Sequence, residues 1–368
     1  MKKAVIIDAK RTVIGKKAGY FKGVGAEKLA AAVIQKILKD NNVSPDLVSD
    51  VILGNAVGPG GNIARLSALT AGLPVTVAGF AVDRQCGSGL EAINLACRLV
   101  QTGAGDIYLA GGTESVSTST FPQRARFSPD SIGDPDMGVG AENVAEKYGI
   151  TRAIQDEYSL LSYKRTIDSN EQNRFNNELV AYNDVPLMDE GIKRLSVIER
   201  LLKRAKPAFK ENGTVTAANS CGLNDGASIV LVMSEEKAKE LKLAPKLLFI
   251  DAVTAGVDPN VPGIGPVPAV NTLLQRMDLS ISEIDVFELN EAFASQVVAS
   301  AQELNISWDK LNKGGGAIAF GHPYGASGAV LVTSLLREMT SGDRFGIATL
   351  GIGGGLGIAT LFERCEHP

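Results

Sequence analysis

The chain predicts an α/β protein built from two similar halves of alternating strands and helices, stacked in layers, with a loop-rich insertion between them. Three observations point there. Short apolar runs alternate with amphipathic stretches through residues 1–114, the last third repeats that plan, and from about 115 to 245 the composition shifts to Asn, Arg, Lys and Asp with few apolar runs. The expected divisions are therefore 1–114, 115–245 and 246–368. The alternation implies a mixed, largely parallel sheet with helices on its faces, and 368 residues are enough to bury a large core.

Lys3 to Asp8 reads as a buried strand, and Ala26 to Leu38 as a helix whose Leu29, Val33 and Ile37 share one face. Val51 to Asn55 is the next strand and Asn62 to Ala71 the next helix. A strand then leads up to Cys86, a helix follows to Gln101, and Asp106 to Ala110 is a further strand. In the last third, Asp285 to Asn290 echoes Asp50 to Asn55. Ser327-Gly328, a helix and the strand from Arg344 likewise repeat Ser88-Gly89, a helix and the strand from Asp106. Phe345 to Phe362 carries no charge, yet six of its 18 residues are glycine, which fits two buried strands joined at Gly353-Gly354-Gly355 better than a membrane span.

Hydrophobic residues make up 45% and charged residues 21% of the chain, ordinary for a soluble globular protein, and a net charge of −4 gives no reason to expect nucleic acid. The four cysteines, Cys86, Cys97, Cys221 and Cys365, lack paired or metal-type spacing, so a reducing, cytoplasmic setting is expected with no metal site. Met1-Lys2-Lys3 and the few apolar residues after it are too short for a signal peptide. A basic tract, Lys193, Arg194, Arg200, Lys203, Arg204, Lys206 and Lys210, reads either as a solvated helix face or as a cradle for a polyanion.

Cys86 lies in Asp83-Arg84-Gln85-Cys86-Gly87-Ser88-Gly89, where an apolar run breaks into glycines before a helix. A helix N-terminus offers unpaired N–H groups and partial positive charge, so a thiol there ionises more easily; the alternative is a buried thiol serving as a small hydrophobe. His322, in Gly321-His322-Pro323-Tyr324-Gly325-Ala326-Ser327-Gly328, is the only internal histidine, the other being His367 near the C-terminus. Any imidazole catalysis falls on it. Asn290-Glu291-Ala292-Phe293-Ala294 supplies a third polar turn, where asparagine commonly caps a helix.

These three turns, in the chain order Cys86, Asn290, His322, resemble the thiolase family. The resemblance extends to residues 214–226, to Val257-Asp258-Pro259 with Gly265-Pro266, and to Gly353-Gly354-Gly355-Leu356-Gly357, covering essentially the whole chain. It implies a thiolase-like fold of two pseudo-symmetric halves in stacked α/β layers, and a Cys86 thiolate that takes the acyl group of an acyl-CoA. The N–H groups of Cys86 and Gly353 would form one oxyanion hole, while His322 and a water held by Asn290 would form another, with Glu291 in support. Met137, Phe209 and Leu223 would line the pantetheine arm and Arg194 would lie near the adenine. Cys221 stands where the family usually has a serine that contacts pantetheine. No tightly bound cofactor or metal is implied. The short stretch between Glu114 and Met137 suggests a homodimer rather than a tetramer.

One position departs from the family. Its last motif begins with a second cysteine that moves the substrate's α-proton, and Gly351 stands in that place, while Cys365 lies 14 residues further on. Three readings stay open: a thiolase in which His322, Cys221 or water substitutes as base; a decarboxylating Cys/His/Asn condensing enzyme, which needs no α-proton removal; and a protein that binds or senses acyl-CoA.

Overall fold

The computed structural model describes residues 1–120 and 124–365, so His367 and the segment 121–123 lie outside the described residues. The chain opens with β1 (Ala4–Thr12), β2 (Gly15–Lys16), α1 (Ala26–Asp40), β3 (Asp50–Gly54), α2 (Ile63–Thr70), β4 (Ala78–Val82), α3 (Ser88–Thr102) and β5 (Ile107–Ser115). The middle contributes α4 (Met137–Lys147), α5 (Arg152–Glu171), β6 (Leu179–Val180), α6 (Leu195–Arg204), β7 (Asn224–Ser234) and α7 (Glu235–Glu240). The last part holds β8 (Leu247–Gly256), α8 (Pro266–Met277), β9 (Val286–Leu289), α9 (Ala294–Leu304), α10 (Ala317–Phe320), α11 (Tyr324–Glu338), β10 (Phe345–Ile352) and β11 (Leu356–Arg364).

The strands pair in the order β4-β3-β5-β7-β1-β8-β11-β10-β9. Read outward from the β1–β8 contact at Val5–Leu248 and Ile6–Leu247, the two sides match. β1, β7, β5 and β3 on one side, and β8, β11, β10 and β9 on the other, join by two antiparallel pairings and then a parallel one. The expected repeat is thus present. The sheet is mixed but not largely parallel, because in each half the last strand returns between the first strand and the rest, and a returning strand pairs antiparallel.

One of those returning strands, β7, falls within the stretch 115–245 expected to be an insertion. Its eleven residues are all buried between β5 and β1, so this part of the middle segment belongs to the N-terminal sheet. Asn224-Asp225-Gly226 gives that strand a polar start, and Ile229 to Met233 supply its apolar body.

Strand periodicity sorts the core into layers. Val5, Ile7, Val51, Leu53, Ile107, Leu109, Ile229 and Leu231 face α1 and α2. Their neighbours Ala4, Ile6, Ile52, Tyr108, Ala110, Val230 and Val232 face the other way, onto α3 and α11, which meet Ala348, Leu350, Ile352, Ile358 and Phe362 of the second half. Ile347, Ala359 and Leu361 turn outward again to α8 and α9. The molecule therefore runs helix, sheet, paired helices, sheet, helix, with α3 and α11 in the central layer.

Candidate active site

The pseudo-symmetry brings two chemically different turns to one place. Cys86 lies two residues before α3 begins at Ser88, and His322 lies two residues before α11 begins at Tyr324. The turn before Cys86 is held in an unusual shape: Gln85 has φ +47°, and Ser88 Oγ accepts from Arg84 N at 2.8 Å and donates to the Gln85 carbonyl at 2.5 Å. Asp83 accepts from Gln85 N at 2.8 Å and completes the turn.

Cys86 is partly buried, against the central apolar cluster. Burial pushes its thiol up to about 12 and Glu114 adds to this, while the N–H groups of Gly353 and of Cys86 itself reach the sulfur and oppose the rise. The helix N-terminus thus does not make a resting thiolate here. Its contribution is about 0.3–1 kcal/mol, and removing a thiolate from water costs several times that. Those same two N–H groups are the expected oxyanion donors. The turn that carries one of them needs Gly354 and Gly355 at φ +87° and +77°.

His322 is 2% exposed, and burial lowers its pKa to about 4, so the ring is neutral near pH 7. Nδ1 lies 2.5 Å from Ser327 Oγ, Nε2 lies 3.5 Å from Asn290 Nδ2, and the backbone N–H donates to Asn224 Oδ1 at 3.0 Å. Tyr324 stands edge-on to the imidazole with centroids 5.2 Å apart, and it lies close enough to Cys86 and Cys221 for their charges to raise its pKa. Asn290 and Tyr324 therefore flank His322, and Cys86 and Cys221 lie within electrostatic range of Tyr324. Burial pushes the Cys221 thiol up to about 12, and its N–H donates to the Ala292 carbonyl at 3.0 Å.

Asn290 does not cap α9. Phe293 occupies that position without a side-chain cap, which leaves the Asn290 amide free to face His322. Glu291 is fully buried and accepts from Tyr158 Oη and Ser162 Oγ at 2.6 Å, Asn312 Nδ2 at 3.0 Å and Ile318 N at 3.1 Å. It fastens α5 to the loop behind the site.

The remaining four expected site residues are Met137, Phe209, Leu223 and Arg194. Met137 opens α4 and lines a cavity with Gly351, Pro262, Gly263, Phe293 and Gln296. Phe209, 42% exposed, packs edge-on to Phe293 at 6.0 Å, and Leu223 is 48% exposed. Arg194 is exposed at the start of α6. Near it, Lys193, Arg204, Ile198, Leu201, Ala217 and Ala218 line a cleft of about 240 Å³. Burial and the neighbouring Lys16 hold Lys193 below the usual lysine range. Arg200 and Lys203 face solvent, so the basic tract is partly a solvated face and partly a cleft wall.

Gly351, next to last in β10, pairs with Gly357. A Cβ there would stand 3.2 Å and 3.3 Å from the carbonyl oxygens of Pro262 and Gly263, a tight but adjustable fit. Cys365 follows the far end of β11, where its N–H donates to the Lys246 carbonyl, so it has no access to that place.

Sequence patterns assigned no role to Ser327, Glu114 or Tyr324. Ser327 stands five residues after His322, inside the same motif. Glu114 is an isolated acid whose partners, the N–H groups of Ala56, Val57 and Gly325, come from separate loops and leave no local trace. Among the described residues, no cluster of His, Cys, Asp or Glu could hold a metal, and no helix is long and apolar enough to cross a membrane.

Residues 4–236 match the family described as "Thiolase, N-terminal domain" and residues 243–364 match "Thiolase, C-terminal domain". The chain is 51% identical to "Putative acetyl-CoA C-acetyltransferase YhfS" of Bacillus subtilis, over 98% of this chain and 99% of that protein. It is 46% identical to a Staphylococcus aureus protein of the same description, VraB, over 99% and 100% of the two chains. The crystal structure of the Bacillus anthracis acetyl-CoA acetyltransferase superposes with a TM-score of 0.91 at 37% identity, covering 99% of each chain. With both family domains matched and these relatives aligned end to end, the chain belongs to the thiolase family.

Proposed function

We propose that the protein is an acetyl-CoA C-acetyltransferase of thiolase type that works through an acyl group carried on Cys86. The observation that carries this reading is the close approach of α3 and α11 at Gly89 and Gly325, which sets the turns of Cys86 and His322 side by side.

The resting site is a neutral thiol next to a neutral imidazole, so charge separates only when substrate arrives. Cys86 Sγ attacks the thioester carbon as His322 Nε2 takes its proton, and the carbonyl oxygen turns negative against the two N–H groups. The C–S bond to CoA then breaks, and the departing sulfur takes the proton from His322. In the second half-reaction the carbanion of another acetyl-CoA attacks the acyl carbon, and its thioester oxygen is held by His322 Nε2 and a water on Asn290.

The missing function is removal of that acetyl α-proton. Gly351 stands where the family resemblance puts a cysteine base, and general-base loss costs about 10²–10⁴ in rate. In its absence His322, Cys221 or a water would have to take the proton, and His322 could do so only by giving up its bond to the thioester oxygen. The Cys86, His322 and Asn290 set with Gly351 also supports a decarboxylating condensation. The two separate cleanly: acetyl-CoA in D₂O exchanges its α-protons under the first reading, and malonyl-CoA releases CO₂ under the second. If neither occurs and Cys86 is nevertheless acylated, the protein is an acyl-CoA binding or sensing protein.

The CoA path is proposed along Met137, Phe209, Leu223 and Cys221 to the cleft at Lys193 and Arg204, with Arg194 at the adenine end. Exposed apolar side chains next to unpaired cations support a ligand with a slim arm and phosphates. The covering segment is then about residues 116–223. A homodimer is supported by β4, an edge strand whose residues Ala78 to Val82 are all at least partly exposed, flanked by exposed Leu66, Leu69 and Val75. Light scattering tests this; a monomer or tetramer would contradict it.

A further inference from the structure

His322 is assigned two incompatible tasks in this cycle. As base toward Cys86 its Nε2 must lack a hydrogen, and as donor to a thioester oxygen the same Nε2 must carry one. Because the ring is neutral, these are two tautomers rather than two charge states, and what distinguishes them is the partner of Nδ1.

That partner is Ser327 Oγ, 2.5 Å away. Ser327 lines a closed cavity together with Glu288, Asn290 and Asn312. Glu288 is 2% exposed, and its Oε1 has no hydrogen-bond partner. The cavity has about 10 Å³ of room, on the order of one water, and the unpartnered Glu288 Oε1 and the Ser327 hydroxyl belong to residues that line it.

We propose that Glu288 is a positioning residue for His322: one water in this cavity joins its carboxyl to Ser327, and the direction of that hydrogen-bond chain decides which imidazole nitrogen bears the hydrogen. The proposal rests on the reading of His322 as the site's imidazole. With Glu288 protonated, the carboxyl donates to water, water donates to Ser327 Oγ, and Ser327 donates to Nδ1, which leaves the hydrogen on Nε2. With Glu288 ionised, every bond reverses, Nδ1–H donates to Ser327, and Nε2 is bare.

The protons balance through acylation. Bare Nε2 takes the Cys86 proton, and the Nδ1 proton passes to Ser327 as the Ser327 proton passes to water and a water proton to Glu288. The ring is then neutral again with hydrogen on Nε2. When Nε2 gives that hydrogen to the departing CoA sulfur, the chain runs back and Glu288 is ionised once more. The cavity geometry agrees with a titrating group here. Burial first and Glu338 next raise the Glu288 carboxyl well above the usual range, Glu291 and Glu178 add to this, and Arg337 opposes it.

The test is ¹⁵N NMR of protein labelled at histidine, where the two tautomers give distinct nitrogen shifts. The chain has two histidines, so a His367→Gln background leaves only the His322 signals. The expected result is hydrogen on Nε2 while Glu288 is protonated and a shift to Nδ1 as pH rises and Glu288 ionises. Glu288→Gln, which has no proton to release, should lose the exchange and keep one tautomer. Ser327→Ala breaks the chain without altering the charges around Glu288 and should also lose it, which keeps the test open if Glu288→Gln does not fold. A single tautomer at every pH in the parent protein, or exchange that persists in either variant, overturns the proposal. Acetylation of Cys86 by acetyl-CoA is measured on the same sample; its absence removes the enzymatic reading but leaves the tautomer result to be judged by itself.

Discussion

Gly89 of α3 and Gly325 of α11 meet where the two central helices begin, and a Cβ on Gly89 would stand 2.7 Å from the Gly325 carbonyl oxygen. This approach sets the distance between the turns that carry Cys86 and His322. Backbone cannot withdraw as a flexible side chain could, so Gly89→Ala should destabilise the fold by about 1–3 kcal/mol. It should also slow acylation by spreading the site. Unchanged melting temperature and activity would show that the helices have room to separate.

The resting Cys86 is a thiol, not a thiolate. Its folded pKa lies above the ordinary cysteine value, so the nucleophilic fraction rises with pH up to about 12. Alkylation of free enzyme by iodoacetamide should therefore speed up about tenfold per pH unit from neutral to mildly alkaline conditions. A plateau already reached at neutral pH would mean that an ion pair with His322 exists before substrate binds.

Gly351→Cys should fold, because its backbone is not left-handed and the added Cβ meets its neighbours at 3.2 Å or more. Restoring an acid/base group there should raise thiolysis of a 3-ketoacyl-CoA by about 10²–10⁴. No gain, with the thiol shown to be present, would mean that proton transfer is carried elsewhere in this chain.

Glu291 gathers four donors in the buried interior. Glu291→Leu takes the acceptor away from Tyr158 Oη, Ser162 Oγ and the Ile318 N–H, at about 1–3 kcal/mol for each that finds no new partner, while Asn312 keeps the Leu289 carbonyl and Tyr158. The melting temperature should drop sharply, and a loss confined to activity would assign Glu291 a different role.

At the cleft mouth, Lys193→Ala with Arg204→Ala should raise KM for CoA substrates while leaving kcat in place, and the effect should shrink in high salt. A change in kcat alone would move the CoA phosphates elsewhere.

How much of this was legible in the sequence differs from element to element. The periodicity of Leu29, Val33 and Ile37, and the glycine-joined strands at Gly353 to Gly355, are local signals, and the fold follows them. The direction of β7 and β11 is not local, since a strand's pairing depends on which neighbour it returns to, and this made the expected mixed sheet more antiparallel than the alternation implied. The candidate site shows the same division. Cys86, His322 and Asn290 announce themselves by motif, but the state of the Cys86 thiol is set by burial, which one dimension does not display. Glu114 and Glu288 are single acids in apolar strands, and only the folded packing shows that one ties loops together and the other has an unpaired oxygen facing a cavity.

The central claim is that one sulfur carries the acyl group. Incubation with acetyl-CoA followed by mass spectrometry of the peptide containing residue 86 tests it most directly. The expected result is one acetyl group on Cys86, removed by added CoA and absent from Cys86→Ala. An unmodified Cys86, or an equal acetyl adduct in Cys86→Ala, would contradict it.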